Sequence, residues 1–236
     1  MNKCSIPILM YHCIAATTNK RLKNLFVSPE RFNKHMSILH HLGYQGLSMR
    51  DLLPYLKGEK HGKVVGITFD DGYQNNLINA APTLKKYRFG ATCYLVSAKV
   101  GSYNQWDENK GIPRAALMTV DEVKQWLDDG LDIGSHTVNH VDLNRVDKTT
   151  AKLEIVQSKA MIEEIFNRDV VDFCYPYGKY STEIESIVKK TYLTATTVKK
   201  GHCHCGDNLF ELPRMHMTYR TGALSFLAKV LPFFKT

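Results

Sequence analysis

The 236 residues suit one large domain, and 44% apolar against 23% charged residues is the balance of an ordinary soluble globular protein, which excludes a disordered chain. No stretch approaches the roughly 18 uninterrupted apolar residues of a membrane span. The net charge of +8, from 31 Lys+Arg against 23 Asp+Glu, favours anionic partners, but the surplus is scattered in pairs such as Lys85-Lys86, Lys189-Lys190 and Lys199-Lys200, with no basic run to mark a nucleic-acid site.

The chain opens on an apolar run interrupted by Pro7, Tyr11 and His12 and followed by no small-residue cleavage site, so it reads as a first strand rather than a signal peptide. Strands are predicted at 6–11, 44–48, 64–70, 91–97, 131–135, 171–175, 194–198 and 211–217, most of them containing β-branched or aromatic residues. Helices with readable starts lie between them. Ser28 and Pro29 open one whose Phe32, Met36 and Leu39 share a face. Thr119 with Glu122 forms a capping box for a second, which stops at Gly130. Asp147 caps a third, running to about Phe166, in which Leu153, Val156, Ala160 and Ile165 repeat near the helical period and are expected to face the core. The apolar 224–234 stretch is expected to pack as a last barrel helix, with contact at a membrane surface as the alternative. Strand and helix alternating in this way force parallel pairing, and eight strands point to an α/β fold spanning residues 1–236 as a single domain, a (β/α) barrel first and an open doubly wound sheet second. Six cysteines at Cys4, Cys13, Cys93, Cys174, Cys203 and Cys205 form no regular framework, which is expected of reduced thiols in a cytoplasmic protein. The run Gly201-His202-Cys203-His204-Cys205-Gly206 lacks a partner pair elsewhere, so it is read as a mobile loop and not as a zinc site.

Two segments carry chemistry. The predicted strand Val64–Phe69 runs into Asp70-Asp71-Gly72, which places adjacent carboxylates at a strand's C-terminal end. Taken alone, Asp-Asp-Gly is a turn that caps a helix. If instead the strand breaks at Gly72, the pair can fan around one point, one acid toward a metal and the other toward a water. The strand 131–135 delivers His136-Thr137-Val138-Asn139-His140, and on a helical turn that spacing sets both imidazoles on one face. With Asp71 they supply two nitrogens and one oxygen and leave positions open, the pattern of a catalytic metal site. Tyr11-His12, Tyr175-Pro176-Tyr177-Gly178 and His216 follow or end other predicted strands, so a barrel gathers all of them at the face where active sites are assembled.

These residues resemble the polysaccharide deacetylase family, also called the chitooligosaccharide deacetylase homology domain or carbohydrate esterase family 4. Thr68-Phe69-Asp70-Asp71-Gly72 matches its T-F-D-D-G signature and His136-Thr137-Val138-Asn139-His140 its H-[ST]-x-x-H signature. Similarity extends to Pro7–His12, Asn104–Asp107 and Leu212-Pro213-Arg214. The resemblance implies a distorted (β/α) barrel of seven or eight strands, with Asp70 as general base and Asp71, His136 and His140 as ligands of a divalent metal. Zinc suits that donor set first, although cobalt, nickel and manganese fit it as well. The resemblance also implies an oxyanion-binding backbone N–H near Tyr177 and a place for Trp106 beside the site, where Trp106, Tyr11 and Tyr177 offer flat faces to a sugar, with His12 among the substrate contacts.

Two departures from the family pattern stand out. Cys174 occupies the place of the arginine that usually steadies the base, and no D-x-x-D-W segment is present. The L-x-H signature survives only loosely, as Leu212-Pro213-Arg214-Met215-His216. If Arg214 and His216 alternate onto the inner face of the last strand, Arg214 replaces the missing guanidinium and His216 protonates the leaving amine. The expected activity is removal of an N-acetyl group from an amino sugar, in a glycan or in a lipid-linked precursor made at the inner membrane surface. A small-amide or cyclic imide hydrolase and a glycan-binding module without turnover are the alternatives.

Overall fold

All eight predicted strands form in the computed structural model, which describes residues 5–16, 23–110 and 113–231. They are β1 (Ile8–Tyr11), β2 (Gln45–Leu47), β3 (Val64–Phe69), β4 (Thr92–Leu95), β5 (Asp132–Ser135), β6 (Asp172–Cys174), β7 (Thr194–Thr196) and β8 (Met215–His216). Seven follow one another in the order β7-β6-β5-β4-β3-β1-β8, every pair parallel. The eighth, β2, pairs with β3 at Gln45↔Val64 through Leu47↔Gly66, beside its N-terminal half. β4 takes the other half of β3, at Thr68 and Phe69. A parallel bridge from Thr196 to Leu212 links β7 to the segment leading into β8, and β8 registers with β1 at Leu9↔Met215, so the sheet curls round into a distorted barrel. The whole is one domain. Parallel pairing sends every strand's C-terminal end to the same face, where Asp70, His136 and His12 emerge directly after β3, β5 and β1.

The predicted helix starts hold in atomic detail. Ser28 accepts a hydrogen bond from the Arg31 N–H at 3.3 Å and opens α1 (Pro29–His41), which buries Phe32, Met36 and Leu39. The Thr119 hydroxyl accepts from the Glu122 N–H, and the Glu122 carboxylate accepts from the Thr119 N–H at 2.8 Å, completing the capping box of α2 (Val120–Asp128). Asp147 caps α3 (Lys148–Phe166), but the face of α3 differs from the one expected. Leu153, Val156, Ala160 and Ile165 face solvent, and the buried set is Ala151, Glu154, Ile155, Ser158, Ile162 and Phe166. That set also has helical spacing. It was hidden because two of its members are polar, each turned inward by a specific bond. The Ser135 hydroxyl donates to Ser158 Oγ at 2.8 Å, and the Glu154 carboxylate accepts from both the backbone N–H and the side-chain amide of Asn139, each at 2.8 Å.

The Cys203–His204 segment pairs antiparallel with Ser5–Ile6, Cys203 is buried, and His202 Nε2–H donates to the Lys229 carbonyl at 2.7 Å, so the cysteine-rich run is a fixed cover rather than a mobile loop. The five cysteines among the described residues are free thiols. The last helix, α4 (Ala223–Val230), buries Phe226 and Val230, and Phe226 stacks on His35 at 4.2 Å. The remainder of the apolar C-terminal stretch, residues 232–236, lies outside the described residues. Among the described residues no helix is long and apolar enough to cross a membrane.

At the opposite end of the barrel two carboxylates are buried side by side. Asp132 is neutralised by Arg50 Nε at 3.1 Å and Arg168 Nε at 2.9 Å. Asp172 has the Thr194 hydroxyl on one oxygen, while its other oxygen is buried and unpartnered. Burial, reinforced by Asp132 and Asp51 against Thr194 and Arg50, pushes the Asp172 carboxyl up to about 7. Folding therefore favours protonated Asp172, so its contribution is complete below the unfolded-state value and is lost as pH rises toward 7 and above. Asp172→Asn, which mimics the protonated acid, is expected to melt a few degrees above wild type at pH 8 and to show no such advantage at pH 4, as read by thermal unfolding.

Candidate active site

Six non-glycine residues among those described have positive φ; three of them, Asp71 (76°), His140 (59°) and Tyr177 (59°), line one cavity, and a fourth, Thr137 (67°), lies in the loop between the cavity-lining His136 and His140. Such backbone costs about 1–3 kcal/mol per residue and persists where the surrounding structure enforces it. β3 ends at Phe69, and Asp71 and Gly72 (78°) then turn the chain through the left-handed region. This reversal lets consecutive aspartates stay at one strand end while meeting different partners. Both are buried, at 3% and 4% exposure.

The His136–His140 segment is a loop and not the helical turn expected from its spacing. Thr137 and His140 bend it, the His140 N–H donates to Thr137 Oγ1 at 2.9 Å, and backbone bonds from Ser97 and Ala98 to the Thr137 and Val138 carbonyls pin it to the chain beyond β4. Glu154 holds its far end through Asn139. The imidazoles consequently converge, with centroids 4.8 Å apart and planes at 74°. His136 Nδ1–H donates to the Cys174 carbonyl at 2.7 Å, which turns Nε2 inward. That Nε2 lies 3.5 Å, and His140 Nε2 3.3 Å, from Asp71 Oδ1.

Asp71 Oδ1 has no hydrogen-bond partner although it is buried. A carboxylate oxygen in that position needs a cation. Two imidazole nitrogens and one carboxylate oxygen, all within 4.8 Å of one another, fit a divalent ion of the zinc type. Burial opposes ionisation of Asp71, but His136 and His140 outweigh it and hold its carboxyl well below the ordinary range.

Asp70 is held by a different group. Arg214 is fully buried, and its Nη1 and Nη2 donate to Asp70 Oδ1 and Oδ2 at 2.7 and 2.8 Å, a bidentate pair. Its other donors reach the Thr197 carbonyl at 2.9 Å, Thr68 Oγ1 at 3.0 Å and the Cys174 sulfur at 3.2 Å. The guanidinium thus comes from the segment before β8, while Cys174 lies against it from the position where the family pattern places an arginine. Burial would raise the Asp70 carboxyl; the charge and hydrogen bonds of Arg214, with His12 and His136, overcome it and keep the acid ionised.

The cavity is lined by His12, Leu25, Asp70, Asp71, Trp106, Asp107, His136, His140, Tyr175, Tyr177 and Val198. Trp106 stacks on His140 at 4.4 Å, and Tyr177 meets the same ring edge-on at 4.7 Å. His12 Nε2 stands 3.8 Å from Asp70 Oδ2. Two expectations fail. Tyr11 is a core residue, packed against Phe32 and Phe69, with its hydroxyl 3.0 Å from His35 Nδ1, because it points to the barrel's outer layer where its neighbour His12 points to the cavity. His216 is not among the residues that line the cavity, although it lies near enough to His12, Arg214 and Asp70 to feel their charges, and its carbonyl is taken by the Lys229 amine. Asp107 and Tyr175 also line the cavity; the sequence placed both in segments assigned to this face or to the family pattern but gave neither a role, and Leu25 and Val198 were not named as site residues at all. Asp107 is buried and ends the Asn104–Asp107 segment that resembles the family, next to Trp106.

Residues 57–196 match the family model described as polysaccharide deacetylase. The chain belongs to the polysaccharide deacetylase family. It is 30% identical to the Bacillus subtilis protein YxkH, whose name assigns it to that family, over 228 residues that cover 95% of this chain and 76% of that protein. It is 26% identical to the poly-beta-1,6-N-acetyl-D-glucosamine N-deacetylase of Staphylococcus epidermidis over 209 residues, 84% of this chain and 70% of the enzyme. The Streptococcus pyogenes deacetylase PplD, solved in complex with acetate, superposes with a TM-score of 0.85 at 26% identity, over 98% of this chain and all of that one (100%). The distorted barrel is therefore the fold of the polysaccharide deacetylases.

Removing Arg214 strands a buried carboxylate, whereas removing both partners does not. Arg214→Ala is expected to lose about 3–5 kcal/mol of stability in urea unfolding, and Arg214→Ala with Asp70→Asn to regain much of it.

Proposed function

We propose that this protein is a metal-dependent hydrolase that removes the N-acetyl group of an amino sugar in a glycan or lipid-linked saccharide. The observation that carries the proposal is the division of labour between Asp70 and Asp71. One carboxylate is locked to Arg214 with an edge open to the cavity, and its neighbour faces two imidazoles.

An acetamide resists hydrolysis because resonance stabilises its carbonyl and its amine leaves poorly. Asp71, His136 and His140 would hold the divalent ion, with zinc the first choice, and the ion supplies Lewis-acid polarisation of the acetyl oxygen and the attacking water. Asp70 takes the proton from that water. It is ionised at neutral pH and cannot rotate, because both its oxygens are bound by one planar guanidinium, so its basic lone pair keeps one direction. His12 is the general acid that best suits the geometry: it lines the cavity, stands 3.8 Å from Asp70 and is partly open to solvent, whereas His216 is outside. Tyr177, which lines the cavity and has left-handed backbone, would serve as the oxyanion donor through its backbone N–H. Trp106 and Tyr177 supply the flat faces on which the sugar ring rests. The S. epidermidis relative, named for an N-acetylglucosamine polymer, and the acetate bound to PplD both support an acetylated amino sugar as substrate.

Acetate release from N-acetylglucosamine oligomers and from lipid-linked amino sugars tests the proposal. Zinc-supplemented wild type is expected to release acetate, a chelator to abolish release, and Asp70→Asn to lower kcat by about 10²-fold or more. Release that is unaffected by Asp70→Asn contradicts the assignment of the base. His12→Gln is expected to lower kcat far more than His216→Gln with zinc content unchanged in both, and the reverse order would return His216 to the acid's role.

A further inference from the structure

The cavity that holds the carboxylates encloses about 120 Å³, well below the roughly 300–1,000 Å³ of sites that engulf a small molecule. It admits an acetamido group and the edge of its ring, so the rest of the substrate lies elsewhere. A second groove of about 600 Å³ adjoins it, sharing Trp106, His140 and Tyr177 as a common wall. Beyond that wall the groove runs past Val141, Asp142, Arg145, Val146 and Lys179. Two of these residues follow the metal-ligand histidine loop directly and Lys179 follows Tyr177, so the groove is built from the same two segments that shape the acetyl pocket.

Its charges are unbalanced. The Asp142 carboxylate takes the Lys179 amine at 2.8 Å and Arg145 Nε at 3.4 Å, two cations on one anion. Asp142 is largely buried, at 12% side-chain exposure, whereas Lys179 and Arg145 are 49% and 80% exposed. The carboxylate therefore anchors both cations at the groove while their charged ends remain available to a ligand, and one positive charge is left over. Val141 and Val146 give the apolar surface that a ring needs, and Trp106 and Tyr177 flank the entrance from the acetyl pocket.

We propose that this groove binds the sugar unit next to the acetylated one and that Arg145 and Lys179 select a unit bearing an anionic group, a phosphate or a carboxylate. The proposal rests on the deacetylase reading for the direction of the chain, since the acetamido group must enter the smaller cavity. Both cations act at the periphery of the reacting centre, so they govern affinity rather than chemistry, and their effect weakens as salt screens it.

The test compares three N-acetylglucosamine oligomers of equal length, one neutral, one carrying a phosphate and one carrying a carboxylate, with the zinc-loaded full chain. For wild type the KM for at least one anionic oligomer is expected to lie about ten-fold below that for the neutral one, and the advantage to shrink at high ionic strength. In Arg145→Glu with Lys179→Glu that ratio is expected to vanish or invert. Whether phosphate or carboxylate gains tells the two sources apart. Equal KM values for all three with wild type, or a ratio that the double variant leaves intact, overturns the proposal. If no oligomer releases acetate the deacetylase reading fails instead, and the groove is then judged by calorimetric binding of the same oligomers to Asp70→Asn. A preference for the anionic oligomers that is lost in the charge-reversed background upholds the groove, and no preference overturns it.

Discussion

Two adjacent carboxylates, both buried and both ionised, stand at the end of a single strand, and the rest of the site is arranged around keeping them apart in function. Neither tolerates burial unpaired, because an isolated charge in that environment loses far more hydration energy than the fold as a whole has to spare. Asp70 is answered by the planar fork of Arg214, which meets both its oxygens. Asp71 is answered by two imidazole nitrogens and presents one oxygen that no hydrogen bond satisfies. Left-handed backbone at Asp71 and Gly72 makes this division possible by turning the chain sharply where the strand stops.

Each partner is in turn held from outside the cavity. Arg214 uses its remaining donors on the Thr197 carbonyl, Thr68 and Cys174, so the guanidinium has one orientation and can offer Asp70 only one. His136 is fixed as the Nδ1–H tautomer by the Cys174 carbonyl, and the loop carrying His140 is fastened by Glu154 through Asn139. Cys174 therefore acts on both carboxylates at once, its sulfur against Arg214 and its carbonyl on His136. The parallel barrel supplies the frame, because strands that run one way bring residues from positions as distant as 12, 70 and 136 to one end, and Arg214, just before the last strand, reaches Asp70 there with its long side chain.

Most of this was legible in the sequence. Most of the eight strands were visible as β-branched or aromatic runs, the helix starts as caps, and the four central residues as two short signatures, each ambiguous alone and specific in combination. Arg214 was named as the guanidinium only on the condition that it and His216 share the strand's inner face; Arg214 does meet Asp70, but from just before the two-residue strand and without His216 beside it on the cavity. What could not be read was anything set by a contact rather than a pattern. The inner face of the helix Lys148–Phe166 was mistaken because apolar residues were equated with burial, whereas Glu154 and Ser158 are buried by the bonds they make. Tyr11 was assigned to the site and His12 given only a substrate contact, since a strand end does not reveal which of two successive side chains turns inward. His216 misled for the same reason, as the last residue of a strand of two. The loop 136–140 was read as helical, and its spacing alone cannot distinguish a helical turn from two left-handed residues that bring the rings together equally well.

The division between the two carboxylates is tested most directly by anomalous X-ray scattering at the zinc edge from crystals of the zinc-soaked protein. A second cluster of donors, Asp70, His136 and Cys174, is equally compact, so the experiment has two distinct places to find the ion. The expected result is one peak bound by Asp71 Oδ1, His136 Nε2 and His140 Nε2, with Asp70 still paired to Arg214. A peak at Asp70 and Cys174, or a displaced Arg214, would contradict the assignment of Asp70 as base and Asp71 as ligand.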